Sequence, residues 1–223
     1  MPLILERPRV LDTYTAAAAK GWVLPAFNSE NLTTTEAVLA AANEFGDVPI
    51  IVGITNTYWH RPQAVYYTHS RDWKVGLRLF LADLRELTGP DSPYRNVPVL
   101  IHLDHIQHDT DAELLTWDLR QFSSIMYDAS TLPIEANIQK TAAFRQHWGD
   151  RIIVEGAADE IGEAATSTGV VLTSPDLAER YYRATGVDLI VANLGTEHRA
   201  DAATLRYHGE LAREITGRIG PRL

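Results

Sequence analysis

The sequence predicts an α/β fold of the TIM (β/α)8 barrel type. Apolar runs typical of buried parallel strands alternate with helical patterns along most of the chain. Six such runs are present, and each stops at a polar residue, as barrel strands do where they supply side chains to one rim. An open, doubly wound sheet is the alternative. Since a typical barrel takes about 250 residues and eight strands, this 223-residue chain is expected to lack the last strands.

The predicted strands are short apolar segments between helices. They lie at residues 22–27, 48–54, 97–105, 123–127, 151–154 and 187–192. The third is the most informative, because its apolar run ends abruptly in His102-Leu103-Asp104-His105. Binding groups collect at the carboxyl ends of parallel strands in α/β folds, so this motif marks candidate functional residues.

The predicted helices rest on apolar spacing and on capping signals. They cover about residues 8–20, 33–45, 73–87, 110–120, 133–148, 174–186 and 204–216. Gly46 ends the second helix, Thr110-Asp111-Ala112-Glu113 forms a capping box before the fourth, and Ser174-Pro175 starts the sixth. The aromatic segment at residues 58–73 is expected to pack internally or to form a subunit contact.

The composition indicates a single domain over residues 1–223, because 45% of the residues are hydrophobic and no Ser/Gly/Pro-rich linker interrupts them. A formal charge of −9 opposes binding to nucleic acid or to an anionic membrane. The absence of cysteine excludes thiolate metal sites and a cysteine nucleophile. Since no signal peptide or long apolar span is found at the N-terminus, a cytoplasmic location is expected.

Carboxylate and imidazole side chains follow four different predicted strands. They are Asp104, His105, Asp128, Glu155 and His198. Barrel geometry would bring these strand ends to one mouth. Imidazole nitrogens and carboxylate oxygens suit Zn²⁺ or another divalent transition ion, with one coordination position left open for substrate or water.

Other polar residues in this region have simpler explanations. His102 is expected to be a core or supporting histidine rather than a metal ligand. Asp109 and Asp111 are assigned to capping of the predicted fourth helix. A solvated histidine is the ordinary interpretation of His198, which follows the last predicted strand.

Several segments, taken in their order and spacing, match a known pattern. They are residues 23–28, 97–105, 124–130 and 154–156, Asn137 with Thr141, and residues 185–188 with 195–198. Through them the chain resembles the class II, metal-dependent fructose- and tagatose-bisphosphate aldolases from about residue 9 to its end. The resemblance implies a TIM barrel and a lyase that cleaves or forms a C–C bond in a phosphorylated ketose.

The resemblance also implies roles for individual residues. His105 and His198 correspond to ligands of the divalent ion, and Asp128 lies beside the metal. We group Glu155 with them as a metal-site candidate. Asp104 corresponds to the residue that exchanges protons with the substrate hydroxyl, while the ion stabilises an enediolate.

Substrate contacts are expected on the same rim. The candidates are Asn28, Thr55, Ser130, Gly195 and Arg199. Thr55 stands where the family usually has a serine, and Arg199 could bind a phosphate or carboxylate. The implied partners are Zn²⁺ or a similar ion, a monovalent cation as a further candidate, a phosphorylated sugar, and further copies of the chain in a homo-oligomer.

The sequence departs from the family pattern in three places. The family's third metal-binding histidine lies in a His-Gly-x-Ser segment that would fall beyond Leu223. Ala157 occupies the second position of the usual Glu-x-Glu, for which Glu160 or Glu163 are possible replacements. Arg199 replaces a glycine, so a substrate other than fructose 1,6-bisphosphate is plausible.

These departures keep two other hypotheses open. One is a non-catalytic barrel relative that binds a sugar phosphate or acts as an assembly subunit. The other is a barrel hydrolase that directs the same ligands to a bound water. Turnover in the presence and absence of a chelator, with product analysis, distinguishes all three.

Overall fold

The computed structural model describes residues 2–161, 171–196, 198 and 205–223. Its strands form one sheet in the order β1-β2-β3-β4-β5-β6. They are β1 (Ala26–Asn28), β2 (Ile50–Thr55), β3 (Val99–Gln107), β4 (Ser124–Asp128), β5 (Ile153–Ala157) and β6 (Leu189–Val191). This order follows the chain and is the order of strands in a (β/α) barrel.

Seven α-helices accompany these strands in the described part of the chain, with two of them between β2 and β3 and only 3₁₀ turns between β3 and β4. They are α1 (Arg7–Ala19), α2 (Leu32–Glu44), α3 (Gln63–Tyr66), α4 (Trp73–Leu87), α5 (Ile134–Trp148), α6 (Pro175–Thr185) and α7 (Gly209–Ile219). In the described residues, no helix has both the length and the apolar character needed to cross a membrane.

The chain forms two compact units. The first comprises Met1–Met126 with Asp150–Ile153, and the second comprises Tyr127–Gly149 with Val154–Leu223. The single domain expected over residues 1–223 therefore stays a prediction, and each unit is described by itself.

The first unit is built around β2 and β3. Every residue of β2 is buried, as the continuous apolar run predicted. β2 pairs in parallel with β1 and with β3, so that Thr55 lies opposite Asp104 and Asn28 lies opposite Gly53. α4 turns Leu77, Phe80, Leu81 and Leu84 into the core.

The second unit contains the parallel pair of β5 and β6, with Glu155 opposite Leu189. Helix α6 of this unit begins and ends where the capping signals predicted. Ser174 Oγ accepts a hydrogen bond from Leu177 N (3.2 Å), and Gly186 takes the left-handed conformation that ends α6.

The helix predicted at 110–120 is wrong. The structure has two short 3₁₀ turns instead, Leu114–Thr116 and Leu119–Gln121. Asp111 accepts hydrogen bonds from residues outside this segment, and Glu113 pairs with Lys74 Nζ (2.5 Å) rather than closing a capping box. The capping interactions that would start an α-helix are therefore used elsewhere.

Other boundaries also differ from the prediction: β1 begins at Ala26 and not at residue 22, β5 extends to Ala157, and β6 is confined to Leu189–Val191. β3 continues through Gln107, two residues past the motif that was expected to end it. The last helix begins at Gly209 and not near residue 204, which lies outside the described residues.

Candidate active site

The carboxylate of Asp104 on β3 is contacted by one side chain from β1 and by one from its own strand. Asn28 Nδ2 donates to Asp104 Oδ2 at 2.6 Å, and His102 Nε2 lies 3.8 Å from Asp104 Oδ1. The other ring nitrogen of His102, Nδ1, lies 2.8 Å from Ser124 Oγ. His102 is buried, as expected of a supporting histidine.

Gly53 makes the contact between Asn28 and Asp104 possible. It lies on β2 between the strands that carry the two residues, and a Cβ at this position would stand 2.4 Å from Asn28 Oδ1. The Asn28 side chain therefore crosses β2 over a residue without a side chain. A glycine inside a buried strand is a sign of such close approach. Gly53 is therefore the one feature of the β2 sequence that indicates this contact.

The surroundings of Asp104 decide its charge. Burial raises the pKa of the carboxyl, but the hydrogen bond from His102 and the positive charges of His105 and His102 outweigh it. Together with the hydrogen bond from Asn28, they hold the pKa of Asp104 well below its usual range. Asp104 is therefore ionised at neutral pH and able to accept a proton.

His105 has an unusual backbone and an aromatic neighbour. Its φ of +48° places a non-glycine residue in the left-handed region. Its imidazole stacks on the ring of Tyr58, with centroids 4.3 Å apart and planes 4° from parallel. Tyr58 is buried and belongs to the aromatic segment that the sequence analysis assigned to packing or a subunit contact. No local pattern around residue 58 or 105 indicates this pairing, because the two residues are 47 positions apart.

Thr55 has a structural task in the loop that follows β2. Its buried hydroxyl donates to the Arg61 carbonyl and accepts from Gln63 N at 3.1 Å. Thr55 N donates in turn to Gln63 Oε1 at 3.0 Å. These bonds use the donor and one of the two acceptor sites of the hydroxyl. The substrate contact predicted for Thr55 stays a prediction.

Asp111 joins the loops after β2 and β3. Its buried carboxylate accepts from Gln107 N (2.9 Å), Asn56 Nδ2 (2.8 Å) and Thr57 Oγ1 (2.5 Å). The assignment of Asp111 to helix capping is therefore wrong. The Asp109 carboxylate accepts a hydrogen bond from the adjacent Thr110 N at 2.7 Å, and no α-helix of the described residues begins there.

In the second unit, Asp128 closes β4. It is buried, and its Oδ1 accepts from Ser130 Oγ (2.6 Å) and Ser130 N (3.0 Å). Ser130, which was predicted to contact substrate, therefore orients Asp128. This turn is local, and the Asp-x-Ser spacing in the sequence already favours it.

Glu155 lies half-buried on β5. Two residues on, Ala157 is buried, and its carbonyl accepts from Asn137 Nδ2 at 2.8 Å. Glu160 and Glu163 are the candidates for replacing the second acid of the family pattern. Glu160 is exposed, and Glu163 lies outside the described residues.

Gly195 lies where the backbone near Arg206 comes too close to leave room for a side chain. Its φ is +88°, and a Cβ there would stand 2.0 Å from the Arg206 carbonyl oxygen. Next to it, the two backbone segments are joined by a hydrogen bond from His208 N to the Leu194 carbonyl at 2.9 Å. His198 follows this turn and is half-buried, whereas Arg199 lies outside the described residues.

The metal-site candidates His105, His198, Asp128 and Glu155 offer imidazole and carboxylate groups and no thiolate. These groups suit a divalent transition ion. The described residues contain no assembled group of three or more His, Asp or Glu side chains in metal-binding proximity. Within each unit, the structure shows individual donors at strand ends, with Asp104 and His105 on β3 and Asp128 on β4.

The fold matches that of solved aldolases. The fructose-bisphosphate aldolase of Campylobacter jejuni superposes with a TM-score of 0.73 at 20% identity, over 99% of this chain and 67% of that chain. The YdjI aldolase of Escherichia coli K12 gives 0.64 at 19% identity, over 93% of this chain and 67% of that chain. At these identities the likeness concerns the fold alone, and it confirms the predicted fold class.

Residues 9–220 match the class II fructose-bisphosphate aldolase family. The chain belongs to this family, as its motifs predicted. A curated relative, the fructose-bisphosphate aldolase of Treponema pallidum (strain Nichols), is 29% identical over 198 residues, which are 84% of this chain and 54% of that protein. The chain thus spans about half the length of this relative.

Proposed function

We propose that this chain provides the proton-transfer half of a class II aldolase site acting on a phosphorylated ketose. The observation that carries the proposal is the carboxylate of Asp104, which Asn28 and His102 contact on both oxygens and which is adjacent in sequence to His105. Family membership supplies the reaction class. The geometry of β3 supplies a group suited to the proton transfer.

In the direction of cleavage, Asp104 accepts the proton of the substrate hydroxyl at the bond being broken. In the direction of synthesis it returns that proton to the new alkoxide. Asn28 holds Oδ2, and His102 faces Oδ1, so the carboxylate keeps one orientation while its charge changes. A base that is fixed before substrate arrives lowers the reorganisation needed in the transition state.

A divalent ion, Zn²⁺ or a similar metal, belongs to this proposal. His105 and His198 would hold it, with Asp128 and Glu155 as further candidates. When bound, such an ion supplies a Lewis acid that polarises the ketose carbonyl and stabilises the enediolate left by cleavage.

Substrate recognition is proposed at Asn28, Thr55, Ser130, Gly195 and Arg199, of which Asn28 and Ser130 also contact the carboxylates of Asp104 and Asp128. An arginine can bind a phosphate through two parallel hydrogen bonds. A homo-oligomer remains a prediction from the aromatic content of residues 58–73.

A second candidate function is a non-catalytic relative that binds a sugar phosphate. One observation favours it: Ala157 stands where the family pattern has its second acid after β5. Binding of ketose phosphates without turnover, in protein supplied with metal, would support this candidate over the aldolase.

The test is retro-aldol turnover of a panel of ketose phosphates by protein loaded with Zn²⁺ or Co²⁺. Asp104→Asn should lower kcat by about 10²- to 10⁴-fold, the usual contribution of general acid–base catalysis. Treatment with a chelator should abolish turnover, and added metal should restore it. Asp109→Asn, at an exposed aspartate five residues away, is the matched control. Full turnover by Asp104→Asn would refute the proposal.

A further inference from the structure

We propose that Tyr58 is a positioning residue that fixes the plane of the His105 imidazole. The inference deepens the proposed function, because it concerns the orientation of a proposed metal ligand. It begins with the stacked rings, 4.3 Å apart and within 4° of parallel. Such close, parallel contact leaves the imidazole no freedom to rotate about its Cβ–Cγ bond without separating from the tyrosine face.

The backbone of His105 makes such support necessary. A non-glycine residue is disfavoured in the left-handed region, and such a conformation persists only where its surroundings determine it. The structure shows two contacts that do so. Gln107 Nε2 donates to the His105 carbonyl at 3.2 Å, and the Tyr58 ring covers the imidazole.

Tyr58 is itself attached to the segment that carries His105. The preceding residue, Thr57, donates from Oγ1 to Asp111 Oδ1 at 2.5 Å, while Asp111 Oδ2 accepts from Gln107 N at 2.9 Å. On the other side, Arg61 N donates to the Tyr58 carbonyl at 3.0 Å. The segments that carry the two rings are therefore linked by hydrogen bonds through Asp111, and Tyr58 is buried.

A fixed ring helps a ligand because less conformational freedom is lost when it binds. Partners that orient metal-binding histidines typically contribute about 10- to 100-fold to metal affinity. In this chain the orienting contact is an aromatic face. It acts through ring area and needs no hydroxyl, so phenylalanine should replace tyrosine and leucine should not.

The first measurement uses metal-free protein and reads the imidazole directly. In ¹H–¹³C NMR spectra, the ring protons of His105, assigned through His105→Ala, should show an upfield ring-current shift. Tyr58→Phe should keep that shift, and Tyr58→Leu should lose it. Trp59→Leu, at an exposed neighbour of Tyr58, is the control and should keep it. Equal shifts in Tyr58→Leu and the unmodified protein would overturn the positioning role, whatever the metal does.

The second measurement is the affinity for Co²⁺ alone, followed by its visible absorption in competition with a chelator. Tyr58→Leu should raise the Kd by about 10- to 100-fold, with Tyr58→Phe within about 2-fold of the unmodified protein. Loss of affinity in both variants would assign the effect to the hydroxyl and overturn the proposal. If His105→Ala leaves the Kd unchanged while the NMR differences persist, the proposed function fails and the positioning role stands.

Discussion

The carboxylate of Asp104 combines partial burial with a negative charge, two properties that oppose each other. It remains ionised because donors from β1 and β3 converge on it and because the charges of His102 and His105 lower its pKa. The sequence predicted Asp104 from the polar end of an apolar run. The sequence could not predict that Asn28, 76 positions away, points at it, although Gly53 between them was a usable sign.

Removing the Asn28 amide tests whether orientation of Asp104 matters. A hydrogen bond to a charged group contributes about 1.5–3 kcal/mol, so Asn28→Ala should lower kcat for ketose phosphate cleavage by about 10-fold or more, with a smaller change in KM. Steady-state kinetics of metal-loaded protein measure both constants. Asn43→Ala, at an exposed position of α2, should leave them unchanged. Unaltered kcat in Asn28→Ala would show that His102 alone orients the carboxylate.

At the scale of elements, prediction succeeded where the determining interactions are local. α6 begins at Ser174 and ends at Gly186 because the cap residues lie within a turn of the helix they cap. The helix predicted after β3 is wrong because the determining interactions there are not local. Its capping residue, Asp111, is bonded to Asn56 and Thr57, more than 50 positions earlier, and no spacing in the sequence shows such a contact.

The bonds of Asp111 predict that it stabilises the first unit. Replacing it with alanine leaves the Gln107 amide, Asn56 and Thr57 without their acceptor in a buried setting. Asp111→Ala should therefore lower the free energy of unfolding by about 2–4 kcal/mol, and Asp111→Asn by less, since one acceptor oxygen remains. Urea unfolding followed by circular dichroism measures the change.

The matched control for this change is Asp109→Ala. Both aspartates belong to the same predicted capping segment, but Asp109 is exposed, so its replacement should alter stability by less than about 0.5 kcal/mol. Equal losses in the two variants would contradict the role assigned to the buried carboxylate.

For the whole molecule, the alternation of apolar runs and helices was sufficient to predict the sheet, because strand order follows chain order. Family membership followed from motifs that span most of the chain. Side-chain pairing between distant segments was not predictable in this way. Tyr58 on His105 and Asn28 on Asp104 depend on how strands are aligned in register, and register is visible only once the chain is folded.

The pH dependence of overall stability provides a test of packing in the first unit. Tyr67 Oη donates to Asp83 Oδ2 at 2.6 Å. Burial raises the pKa of Tyr67 above its ordinary value, and the hydrogen bond and charge of Asp83 raise it further. The folded state therefore holds the phenolic proton more tightly than the unfolded state, whose tyrosine pKa is about 10. The contribution is fully present below about pH 10 and is lost as the pH rises above it.

The difference in unfolding free energy between the unmodified protein and Tyr67→Phe isolates this contribution, because the other titrating groups are common to both. That difference should be constant from about pH 7 to 9.5 and then fall by up to about 1.4 kcal/mol for each pH unit above about 10. Tyr66→Phe, at the exposed neighbouring tyrosine, should show no such fall. A difference that stays constant through pH 11 would mean that the Tyr67 hydroxyl is not held against Asp83 in solution.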